Sequence, residues 1–144
     1  MPHSYAQNNI HLIFSTKNRR KAISKDMQKR LWPYISAICQ ENKIFVHAVG
    51  GMEDHCHILF QLPPTMSLAD AILVIKVGSS KWMGKRFGWQ KGYGAFSVSA
   101  SNIPAVVRYI RDQERHHRKM SFEQEFIALL ERHGVEYDPK YVFG

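Results

Sequence analysis

His55 and His57 stand two residues apart in a stretch, residues 53–62, that reads as a β-strand. Gly50-Gly51 open it and Pro63-Pro64 close it, and both pairs are turn formers. Strand side chains alternate faces. Cys56, Ile58, Phe60 and Leu62 therefore share one apolar face, and His55, His57, Leu59 and Gln61 share the other. Two imidazoles on one sheet face can converge on a single metal ion, and the neighbouring Asp54 can orient a ligand or join the shell. His-x-His pairs also line ordinary half-exposed sheets, so this pair does not by itself decide for a metal.

A second chemical group lies downstream. The segment from Ile103 to Lys119 carries Ile103, Val106, Val107 and Ile110 at helical spacing, which predicts a helix packed through that stripe. Tyr109 and Gln113 are four apart and fall one above the other beside the stripe. Arg108, Arg111, Arg115, His116, His117, Arg118 and Lys119 make the same segment basic. A tyrosine hydroxyl inside a phosphate-attracting helix is a candidate nucleophile. A border tyrosine with its hydroxyl in water has the same local pattern. Earlier in the chain, Lys17, Arg19, Arg20 and Lys21 cluster just after a strand, where a basic loop can hold phosphates.

The elements that must position these groups follow from the remaining pattern. Asn9 to Thr16 reads as the first strand. Ser24 caps a helix that runs to about Glu41 on Met27, Leu31, Tyr34, Ile35 and Ile38, with Pro33 a candidate kink. Lys43 to Val49 is a second strand, turned by Gly50-Gly51 into the histidine strand. Ser67 caps a helix that continues to about Arg86, and Ala95 to Ser99 is a short strand. Ser101 or Asn102 caps the tyrosine helix, with Pro104 in its first turn. Strand, helix, strand, strand, helix, strand is the split βαβ order of a ferredoxin-like α+β sandwich with an antiparallel sheet. Its helices cover one face. The added C-terminal tyrosine-bearing helix follows, and the histidine face is expected to stay open to substrate.

Composition sets the broad class. The 144 residues are 44% hydrophobic, which suits one globular domain spanning 1–144. Formal net charge is +8 and the pI is near 9.7, which points to a polyanionic partner, nucleic acid before membrane. No apolar run is long enough to span a bilayer, and the N-terminus has no signal-peptide core. Cys39 and Cys56 fall in a helix and a strand and are not expected to pair, as suits a reduced cytoplasmic protein.

The chain resembles the IS200/IS605-like tyrosine transposases, single-domain members of the HUH nuclease superfamily. Asp54-His55-Cys56-His57, Gly92 to Ser99, Tyr109-Ile110 with Gln113-Glu114, Thr16 to Arg19 and the tail Gly134 to Tyr141 carry the resemblance, in order and over nearly the whole chain. Cys56 departs from it, standing where the family usually has a bulkier apolar residue. The resemblance implies that His55 and His57 bind a divalent metal, Mg²⁺ or Mn²⁺, with Gln113 as a third ligand and Tyr109 as the nucleophile. It implies cutting and rejoining of single-stranded DNA near hairpins through a 5′-phosphotyrosine. It also implies a homodimer whose tyrosine helices serve the partner's histidines. Cations near Tyr109, and the ion, are expected to favour its phenolate. Two imidazoles and an amide suit Mn²⁺ or a later metal better than Mg²⁺.

Two other readings compete. One is a non-catalytic nucleic-acid-binding module on the same fold. Such sheet-surface binders use stacked aromatics, which the histidine face lacks. The other is a structural zinc protein. His55/His57 have no obvious second ligand pair for it, and His116-His117 are adjacent in sequence.

Overall fold

A computed structural model describes residues 5–143. Its sheet has four antiparallel strands: β1 (Asn9–Ser15), β2 (Phe45–Met52), β3 (His55–Gln61) and β4 (Gly94–Val98), in the order β2-β3-β1-β4. The helices are α1 (Lys25–Glu41), α2 (Leu68–Met83), α3 (Ile103–Arg111), α4 (Gln113–His116) and α5 (Phe122–Arg132). Strand order and connectivity are those of the ferredoxin-like sandwich.

The apolar face of the sheet meets α1 and α2. Leu12, Phe14, Cys56, Ile58 and Phe60 from the strands pack with Leu31, Ile35, Cys39, Ala71, Ile72 and Ile75 from the helices. Both helices begin where their serines predict: Ser24 Oγ accepts from Met27 N–H, and Ser67 Oγ accepts from Asp70 N–H. Pro33 lies inside α1 without ending it. Gly84, at φ 106°, closes α2 a little earlier than expected.

Three expectations need correction. The hairpin between β2 and β3 turns at Glu53-Asp54, because Gly50 and Gly51 are themselves strand residues opposite His57 and Cys56. The tyrosine helix is not continuous to Lys119: it stops at Asp112, whose φ of −101° and ψ of 25° break it before the four-residue α4. Finally, the histidine face is not open. α3, α4 and α5 fold back over it and leave His55 and His57 fully buried. α5 fixes this cover through Phe122, Phe126, Leu129 and Leu130, which pack against Ile13 and Phe96 of the sheet. Ser121 and Gln124 form a reciprocal capping box that starts α5.

Candidate active site

The site lies between β3 and the C-terminal helices. Its geometry starts with Gly50 on β2. A methyl group there would meet the Ile110 carbonyl oxygen at 2.5 Å, so only glycine lets α3 approach the sheet this closely. Ile110 packs with Ala48 and Leu59, and Val106, Val107 and Tyr109 lie around them. This contact seats Tyr109 beside the histidine strand, its ring centroid 5.6 Å from that of His57. The break at Asp112 then turns Gln113 inward to 2% exposure. Its amide Nε2 donates to the Tyr109 carbonyl (3.2 Å), and its Oε1 lies 3.0 Å from His55 Nε2.

At the centre is Glu125, 1% exposed on the buried stripe of α5. Its Oε1 lies 3.3 Å from His55 Nε2 and 3.1 Å from both His57 Nε2 and His117 Nε2. Its Oε2 accepts a hydrogen bond from the Tyr109 hydroxyl and lies 3.3 Å from His116 Nε2. Each of the three histidines facing Oε1 is held from behind through Nδ1: His55 by Asp54 (2.7 Å), His57 by His11 Nε2 (2.8 Å) and His117 by the Met120 carbonyl (2.6 Å). His11 reaches His57 because β1 pairs with β3 one step along, His11 opposite Leu59 and Ile13 opposite His57.

The charges follow from this packing. Burial pushes His11 down to about 3, helped by His57, so it stays neutral. Burial also lowers His57. For His55 burial opposes the charge, but hydrogen bonds to Asp54 and Glu125 outweigh it and raise the imidazole to about 9. Burial disfavours an ionised Glu125, yet His57, His117 and His55 together hold it well below the usual carboxylate range. Tyr109 is pushed up, by burial first and by the Glu125 carboxylate second. This reverses the expectation that nearby cations favour its phenolate. Arg108, Arg111 and Arg115 are exposed, and the group that touches the hydroxyl is an anion.

His55, His57, His117 and Glu125 can hold a metal ion: their ligand atoms all lie within 4.8 Å of one another. Nitrogen and oxygen donors with their outer hydrogen bonds already made are a fitting set. Two clefts open beside Tyr109. One, of about 510 Å³, is lined by Asp112, Arg115, His116 and Lys119. The other, of about 570 Å³, reaches His11, Asn102 and Arg132.

A family model described as "Transposase IS200 like" matches residues 4–113. The chain belongs to that family. The IS200 transposase of Salmonella typhimurium is 25% identical over 114 residues, covering 72% of this chain and 74% of the relative. The ISDra2 transposase TnpA of Deinococcus radiodurans is likewise 25% identical over 114 residues, covering 72% and 81%. Among solved structures, a putative transposase from Deinococcus radiodurans superposes with a TM-score of 0.63 at 22% identity, over 78% of this chain and 96% of that one. A REP-associated tyrosine transposase bound to a REP hairpin gives a TM-score of 0.63 at 17% identity, over 81% and 73%. At these identities the structural likeness speaks for the fold.

The transposase thus brings together His55, His57, Tyr109, Gln113 and Asp54, the residues singled out from its sequence. Among the cations singled out, Arg115 lines a cleft beside Tyr109. Lys17, Arg20 and Lys21 are exposed beyond the end of β1, whereas Arg19 lies against the C-terminal segment, 3.7 Å from Glu123 and over the Phe143 ring. Arg115 lies 3.9 Å from Asp112. The sequence reading missed His11 and Glu125, and it gave His116 and His117 only as part of the basic run and as a pair too close in sequence for a zinc site. Glu125 left a signal, a lone carboxylate at the i+3 position from Phe122 and i−4 from Leu129 within an apolar stripe. The family match ends at Gln113, so His116, His117 and Glu125 lie beyond it.

Proposed function

We propose that this transposase cuts and rejoins single-stranded DNA beside hairpins, with Tyr109 as the nucleophile and a divalent ion held by His55, His57 and Gln113. The carrying observation is that one buried carboxylate, Glu125, contacts both the Tyr109 hydroxyl and the Nε2 atoms of the two strand histidines. The hydroxyl and the metal-ligand set thus belong to one constellation. The family membership and a fold shared with a hairpin-bound relative support the same reading.

The Tyr109 oxygen forms a bond to a backbone phosphorus, and the bond from that phosphorus to the 3′ oxygen breaks. The Tyr109 proton has two acceptors in reach, Glu125 Oε2 and His116 Nε2. The leaving oxygen takes up a proton and becomes a free 3′-hydroxyl. The DNA stays attached through a 5′-phosphotyrosine, which conserves the bond energy for rejoining. In the return step a 3′-hydroxyl attacks that phosphorus, and Tyr109 leaves and recovers its proton. The ion, when bound, supplies Lewis-acid stabilisation of charge on the non-bridging oxygens. Gln113 orients His55 and ties it to the tyrosine backbone, and Asp54 fixes the His55 ring.

Exposed Lys17, Arg20, Lys21, Arg108, Arg111 and Arg115 supply phosphate contacts. Affinity for a DNA hairpin should therefore fall steeply with salt, and a flat titration would remove them from the interface. The resemblance implied a dimer that exchanges tyrosine helices. The geometry favours a site within one chain, since Tyr109 meets its own Glu125 and His57. The non-catalytic alternative loses its binding surface, because α3 to α5 cover the sheet face it needs. Among the described residues no helix is long and apolar enough to cross a membrane, and both cysteines are free and buried. We place the reaction in the cytoplasm. The direct test incubates the protein with labelled single-stranded hairpins, with and without divalent ion, and looks for a covalent adduct on a denaturing gel. Absence of an adduct under all metals would sink the reading.

A further inference from the structure

We infer that His117 and Glu125 complete the metal site in place of Gln113, whose amide orients His55 instead, so that three imidazoles and one carboxylate select a transition ion of the Mn²⁺ to Zn²⁺ series over Mg²⁺. The inference rests on the reading that His55 and His57 hold an ion, and adds two ligands that the family match does not contain. Both new residues come from the C-terminal segment beyond Gln113.

Three Nε2 atoms point at one carboxylate oxygen, and all three rings have Nδ1 engaged with Asp54, His11 or the Met120 carbonyl. Because a carbonyl only accepts, His117 carries its proton on Nδ1 and can present the Nε2 lone pair inward. Asp54 imposes the same orientation on His55. Such outer hydrogen bonds are the usual support of metal-bound histidines. The spacing also fits. Ligands about 2.1 Å from an ion in a tetrahedron are about 3.4 Å apart. Glu125 Oε1 lies 3.3 Å from His55 Nε2, 3.1 Å from His57 Nε2 and 3.1 Å from His117 Nε2. All four ligand atoms lie within 4.8 Å of one another, close enough to draw in around one ion.

Selectivity follows from donor type. Mg²⁺ prefers six oxygens and keeps its waters, whereas imidazole suits the later divalent ions. A largely buried site with three nitrogens offers Mg²⁺ little. Five-coordination is open to ions such as Zn²⁺, so a substrate oxygen need not displace a protein ligand. The second oxygen of Glu125 engages Tyr109, which couples occupancy of the ion site to the position of the hydroxyl.

The test uses Co²⁺ as a visible probe on the full chain, with Zn²⁺ and Mg²⁺ as competitors. The wild type should bind one Co²⁺ with the intense visible absorption of a four- or five-coordinate ion. Zn²⁺ should displace it, and Mg²⁺ in large excess should not. His117→Ala and Glu125→Gln should each weaken binding by at least about tenfold, the smaller end of what loss of an outer partner costs. A weak six-coordinate spectrum from the wild type, or ready displacement by Mg²⁺, overturns the inference without needing a variant. Loss of binding in His57→Ala, with His117→Ala and Glu125→Gln binding as the wild type does, also overturns it while leaving the two-histidine reading intact. Wild-type binding by His57→Ala overturns both.

Discussion

One face of the sheet is apolar throughout, while the other sets a polar network between two apolar clusters, Ile13 with Phe96 and Leu59 with Ala48 and Ile110. Toward α1 and α2, β1 and β3 present Leu12, Phe14, Cys56, Ile58 and Phe60, all fully buried among aliphatic and aromatic neighbours. Toward α3, α4 and α5 the same two strands present His11, His55 and His57, also buried, but among Gln113, His117 and Glu125. Burial is equal and chemistry is not. An apolar face gains stability from area removed from water. A polar face gains little unless each group is paired, and leaving one unpaired is expensive. Among the described residues every buried side-chain nitrogen and oxygen has a partner. The polar face is therefore an ordered network, whose arrangement makes sense as a site and makes poor sense as a core.

That contrast can be broken from either side. The largest effect is expected for His57→Ala, which removes a ligand from the polar face. Cleavage of a labelled hairpin should fall to background while binding of that hairpin persists, because exposed cations supply the affinity. Retained cleavage would detach the histidine strand from the chemistry. Phe60→Ala strikes the other face. It should cost about 3–5 kcal/mol in a urea melt, yet the protein that remains folded should bind metal as before. A matching loss of metal affinity would mean that the two faces are not separable. The smallest change is Gly50→Ala, where the new methyl group meets the Ile110 carbonyl oxygen at 2.5 Å. α3 must lift, at about 1–3 kcal/mol, and adduct formation should drop further than the melt predicts because Tyr109 moves with the helix. An unchanged adduct yield would show that the close approach is only packing.

The apolar face was legible in the sequence because period-2 and helical stripes state it directly. Cys56, Ile58 and Phe60 point to α1 and α2 as their alternation requires, and Ser24 and Ser67 cap where they should. The histidine pair, Tyr109 and Gln113 were legible by type, spacing and family likeness. What could not be read was the fold-back. Asp112 is an unremarkable helix residue in sequence, and nothing local announces that it breaks the helix and turns Gln113 inward. Residues after Lys119 were read only as a tail motif, so α5 and its Glu125 went unplaced, although Ser121 with Gln124 is a capping signature. Gly50-Gly51 suggested a turn by composition, while Gly50 lets α3 come close and Gly51 lies against the His55 carbonyl of the neighbouring strand. His11 needed the strand register, which is tertiary information.

On this reading Tyr109 works with the histidines of its own chain. This is tested most directly by the covalent-adduct assay on an equimolar mixture of Tyr109→Phe and His57→Ala, run beside the wild type. Tyr109→Phe keeps the ring and loses the hydroxyl, so both variants should fold, and each alone should be inactive. If the site is complete within one chain, the wild type yields an adduct that maps to Tyr109 and the mixture yields none. An adduct in the mixture would mean that the tyrosine of one chain reaches the histidines of another, and would contradict the account.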